Sequence, residues 1–88
     1  MFEYTRHAKL KFRRKRMREL GIKRKDVEAV VLEPAAVDQG EYPHIAVATH
    51  SKSISLVVVY KNTEMGYKVI TFFSATKGRY EDKILQRG

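Results

Sequence analysis

Two stretches in the second half of the chain, residues 54–61 (ISLVVVYK) and 67–74 (YKVITFFS), carry large apolar side chains on both faces of an extended backbone. Successive side chains of a strand point to opposite faces. That alternation sets Ile54, Leu56, Val58 and Tyr60 against Val57 and Val59, and sets Val69 and Phe73 against Ile70 and Phe72. A strand that is apolar on both sides has to be covered on both, so these two belong at the centre of a sheet. Residues 36–41 and 45–51 show the same period and add two strands. The stretches 51–53 (SKS) and 62–66 (NTEMG) have the composition of hairpin connections, which makes the sheet antiparallel.

The first third follows a helical period instead. Residues 6–20 are expected to form one helix, with Thr5 as N-cap and Gly21 as its stop. At roughly 100° per residue, Leu10, Met17 and Leu20 fall on one side, while Ala8 and Phe12 fall nearly opposite. Arg13 projects within the stripe of Leu10, Met17 and Leu20, which puts it at the edge of the core, facing something or snorkelling to water. A second helix covers 24–32. Val27, Val30 and Val31 are its buried stripe, Ile22 its staple, and Glu33-Pro34 its end. Residues 79–87 (RYEDKILQR) read as a short C-terminal helix offering Ile84 and Leu85. The fold class is α+β: two N-terminal helices packed on a sheet of three to four strands, then a short helix. The helices cover one sheet face. The other is left for the C-terminal segment or for a second copy, in a homodimer through the sheet.

Eighty-eight residues suit one domain, 1–88. The absence of cysteine excludes a disulfide framework, a thiolate metal site and a cysteine nucleophile. The longest apolar run, Leu56 to Tyr60, is far short of the ~20 residues of a membrane helix, so no membrane association is expected. The net charge of +8 is uneven. Residues 1–25 hold eleven Lys or Arg and two Glu, whereas 26–88 hold seven basic and eight acidic side chains. Seven of the ten residues from Lys9 to Arg18 are cationic. Like charges at i,i+3 and i,i+4 repel and weaken a helix, a cost that a bound polyanion removes. Lys9, Lys11, Arg13, Arg14, Arg16 and Arg18 are the candidate nucleic-acid ligands. An acidic protein would satisfy the same electrostatics, and a solvated helix face is the plain alternative.

Most enzyme chemistry finds no footing here. His7, His44 and His50 lack metal-ligand spacing, so no metal or other cofactor is expected. His44 and His50 share strand parity and are assigned a surface or interface role. No carboxylate pair, nucleophile elbow or glycine-rich phosphate loop occurs. Cleavage of RNA by its own 2′-hydroxyl needs less: a base, an acid and cations for the charge on phosphorus. His7, in the first turn of the most basic helix, is placed for proton transfer at a phosphate; otherwise it is a capping or packing residue. Tyr80 suits stacking or proton donation and Arg79 a phosphate clamp, or Tyr80 simply anchors the tail through its ring.

The pattern Thr5-Arg6-His7-Ala8, a basic helix, Gly21-Ile22, a second helix ending near Pro34, strands such as LVVVY and VITFF, and Arg79-Tyr80 resembles the small domains related to RelE- and BrnT-like toxins. The resemblance implies a ribonuclease-like fold with a curved antiparallel sheet, which RelE-type toxins often open with an extended strand; here only residues 2–4 supply one. It also implies metal-independent mRNA cleavage in the cytoplasm and neutralisation by an acidic antitoxin. On that basis His7, Arg79 and Tyr80 are the catalytic candidates, with Arg13 and Arg16 as the matching basic helix residues. The leading expectation is a toxin-like endoribonuclease acting on RNA. A non-catalytic RNA- or DNA-binding module and a protein-interaction domain for an acidic partner are the alternatives.

Overall fold

The computed structural model describes residues 1–38, 40 and 42–78. Its elements are β1 (Phe2–Tyr4), α1 (Arg6–Lys11), α2 (Lys15–Glu19), α3 (Arg24–Leu32), β2 (Ala36–Asp38), β3 (His44–Thr49), β4 (Ile54–Thr63) and β5 (Gly66–Thr76). The class is α+β, with three helices and five strands among the described residues. The expected C-terminal helix at 79–87, Arg79 and Tyr80 included, lies outside them.

The strands form one open sheet in the order β1-β5-β4-β3-β2, with the doubly apolar β4 at its centre and β5 beside it. Strands β2 to β5 pair antiparallel in succession, and β1 adds to β5 in parallel, Phe2 opposite Tyr67 and Tyr4 opposite Val69. The sheet is therefore mixed and five-stranded, not antiparallel with three to four. β4 and β5 also extend into the expected connection at 62–66, leaving Glu64 and Met65 to make the turn. At Gly66 (φ +143°) a side chain would collide with the Met1 backbone, whose carbonyl accepts the Tyr67 amide at 3.0 Å.

A bulge changes the faces of β5. Val59 pairs with Thr71 but Tyr60 pairs with Val69, so Ile70 is the extra residue. Val69 and Phe72 consequently share the face of Leu56, Val58 and Tyr60, and Phe73 falls to the face of Val57, which corrects strict alternation. The bulge also aims two successive carbonyls at Thr5. The Thr5 amide donates to Val69 (3.0 Å) and its hydroxyl to Ile70 (2.7 Å), while that hydroxyl accepts the Ala8 amide (3.1 Å) as the N-cap of α1.

The expected single helix at 6–20 is two short ones. Phe12 closes α1, and Arg14 is extended (φ −65°, ψ 143°) as the N-cap of α2. A straight helix would send Ala8 and Phe12 away from Met17 and Leu20. The break lets both pairs reach one core: Ala8 and Met17 are buried, with Phe12 and Leu20 packed against the same cluster. Leu10 pays no part in it and is half exposed. Gly21 (φ +68°) ends α2 in a Schellman motif, its amide on Arg18 and that of Ile22 on Met17. Ile22 and Met17, the apolar pair of that motif, are both buried.

Helix α3 is the expected one, with Val27, Val30 and Val31 buried and the Asp26 carboxylate accepting the Lys23 amide at 2.8 Å. All three helices pack with Ala46, Leu56, Val58, Tyr60, Val69 and Phe72 on one sheet face. On the other face Val47 and Val57 are also fully buried, and none of the three described helices lies there.

Candidate nucleic-acid interface

Breaking the N-terminal helix gathers its charge with that of the next segment. Past the stop at Gly21, Lys23 and Arg24 face the same space as Lys9 of α1 and Arg18 of α2. A cleft of about 610 Å³ opens there, lined by Lys9, Arg13, Arg18, Lys23 and Arg24, with Phe12, Gly21 and Ile22. Among the described residues, five cations line it and no carboxylate does. A second cavity of about 440 Å³ lies toward β1, lined by Lys9, Arg24 and Lys68 with Phe2, Tyr4 and Glu3. Lys9 and Arg24 belong to both.

Arg24 is held in place. Its guanidinium lies 5.0 Å from the centroid of the Tyr4 ring, and the Tyr4 hydroxyl donates to Glu28 Oε2 at 2.5 Å. Burial pushes the Tyr4 phenol well above the usual tyrosine range, and the hydrogen bond and charge of Glu28 push it further, against the opposing pull of Arg24. An ionised unfolded Tyr4 then competes with a protonated folded one. Its contribution to stability is complete below about pH 10 and is lost as pH rises beyond that. In an ultraviolet titration of tyrosine ionisation, the last phenol to ionise should vanish in Tyr4→Phe and move to lower pH in Glu28→Gln. If Tyr4→Phe instead deletes an early-titrating tyrosine, Arg24 is not held this way.

Of the six cations expected to bind nucleic acid, Lys9, Arg13 and Arg18 line the cleft. Arg13 is exposed, so its place at the core edge resolves as facing the cleft. Lys11 turns to the opposite flank of α1, toward β5. Its ammonium donates to Thr71 Oγ1 at 3.4 Å and lies 5.5 Å from the Phe73 ring centroid. Burial, followed by the charge of Arg14, lowers its pKa. Arg14 and Arg16 are exposed on α2 and its cap and line neither cavity. Lys23, Arg24 and Lys68 were not among the expected ligands. The signal for the first two was present, because the basic excess runs on through Lys25.

His7 is exposed in the first turn of α1, and at roughly 100° per residue it lies about 160° around the helix from Lys9. It therefore shares a flank with Lys11, not with the cleft. Arg79 and Tyr80, the other catalytic candidates, lie outside the described residues. His44 and His50 do share the helix-bearing face: His44 lies 5.5 Å from the Tyr60 ring, and His50 Nε2 donates to the Leu20 carbonyl at 2.7 Å. The second bond ties the end of β3 to the end of α2.

Among the described residues no group of three or more His, Asp or Glu side chains is placed to hold a metal ion, and no helix is long and apolar enough to cross a membrane. No protein-family model, curated protein or solved structure matches the chain.

Proposed function

We propose that this protein binds RNA through the basic cleft between α1, α2 and the start of α3. One observation carries the reading: among the described residues, five cations from three segments line a single cleft with no carboxylate beside them, and an aromatic ring lies next to them. Cations brought together at this density repel one another unless a polyanion enters, and phosphate supplies it with release of counterions. Binding of a single strand through three to six phosphates makes the affinity fall about 20- to 300-fold between 50 and 200 mM salt. Fluorescence anisotropy of a labelled RNA across that range checks it, and binding indifferent to salt overturns it.

Cleavage of RNA is the second reading, and it is favoured by His7 and Lys11 lying one helical turn apart on the flank of α1 that faces away from the cleft. Residues four apart on a helix are neighbours, which sets the His7 imidazole beside an ammonium whose pKa burial lowers. In this reading the protein is a toxin-like, metal-independent endoribonuclease related to RelE- and BrnT-like toxins, and an acidic antitoxin covers the cleft. RNA cleavage should then persist in EDTA and disappear in His7→Ala. Equal cutting by wild type and His7→Ala would sink it.

A further inference from the structure

We infer that the cleft takes an unpaired RNA strand, with one phosphodiester between Lys9 and Arg24 and the bases on either side of it in the two cavities. This rests on the RNA-binding reading and names its substrate class. Among the described residues the two cavities share Lys9 and Arg24 alone, so those cations stand where the cavities meet. Each cavity has an aromatic wall besides its charge, Phe12 in one and Phe2 with Tyr4 in the other. The walls adjoin, since Tyr4 and Phe12 meet edge to face with centroids 5.8 Å apart.

Each cavity joins an aromatic wall to cations, with one carboxylate, Glu3, in the smaller, and the pair Lys9 and Arg24 stands between the two walls, a spacing that suits a strand in which phosphates separate flat bases. A duplex matches it poorly, because its bases are stacked inside and present only their edges. Both volumes, about 610 and 440 Å³, lie within the usual range of small-ligand pockets, roughly 300–1,000 Å³. Arg24 is suited to the middle position. Its planar fork matches phosphate, and its stacking on Tyr4, itself tied to Glu28, limits the freedom it would lose on binding.

Three probes of equal length separate the possibilities for the folded chain: an unpaired RNA, an RNA duplex and an abasic strand that keeps the phosphates without the bases. The unpaired RNA should bind about tenfold or more tighter than either of the others at one salt concentration. In Phe2→Ala the affinity for unpaired RNA should fall about tenfold while that for the abasic strand stays constant, which also reports that the variant is folded. Equal affinity for the unpaired and abasic strands, or for the duplex, overturns the base-in-cavity arrangement and leaves the RNA-binding reading standing. Failure of all three probes to bind overturns that reading itself.

Discussion

Reversing Lys9 and Arg24 together, as Lys9→Glu and Arg24→Glu, is expected to weaken RNA binding by about 100-fold or more at low salt. Each hydrogen bond to a charged group is worth about 1.5–3 kcal/mol, so two lost contacts already amount to that factor. The new carboxylates add repulsion that is poorly screened, because the Debye length is about 30 Å at 0.01 M salt. Losing two phosphate contacts should also flatten the plot of log affinity against log salt by about 1.4. The control is a pair of equal charge change on exposed positions away from the cleft, Lys52→Glu with Lys77→Glu. That pair should cost far less. If it costs as much, affinity follows net charge, and the cleft between α1 and α3 is not where RNA binds.

The second large effect is on stability. Phe72→Ala should cost about 3–5 kcal/mol, the usual range for truncating a buried phenylalanine. Phe72 is fully buried on the helix-bearing face, pairs with Val58 across the central strands and lies 4.5 Å from the Phe12 ring. A chain of this length has a total stability of roughly 4–13 kcal/mol, so the variant loses a large part of it. The melting temperature, followed by circular dichroism, should fall by roughly 15 °C or more. A loss under about 1 kcal/mol would mean that α1 is not seated on β5 through this contact. Since Phe12 also lines the cleft, the same substitution loosens the cleft from behind.

How far residues alone reveal this architecture varies with the element. Helix α3 is legible because Val27, Val30 and Val31 keep an unbroken period between a glycine stop and Pro34. The central position of β4 and β5 is legible because apolar groups on both faces leave no other place for them. The bulge at Ile70 is not, since a strand apolar on both faces reads the same whichever way its parity shifts. The broken first helix had its signal in Ala8 and Phe12 standing opposite Met17 and Leu20, two sides that one straight helix cannot turn to one sheet. Strand β1 is three residues long, too short for a period; residues 2–4 are expected as an extended strand only through the resemblance, and their parallel pairing with β5 at the far end of the sequence is not legible. The cleft was half legible. Density of charge marks the segment, but the turn at Gly21 decides that Lys9, Arg13 and Arg18 meet Lys23 and Arg24, while Lys11 faces β5.

The pairing of β1 with β5 joins residues 2–4 to 67–69. During synthesis, at about 5–20 residues per second, the first strand waits roughly three to thirteen seconds for its partner to be made. Throughout that interval the most cationic part of the molecule is a tethered, unpaired chain at the surface of an RNA-rich particle. Charge is present from the outset, but the arrangement of Lys9 and Arg24 beside Lys68 comes into being only after β5 has emerged. The charge of the basic segment is thus an early property of the nascent chain, and the arrangement of that charge a late one.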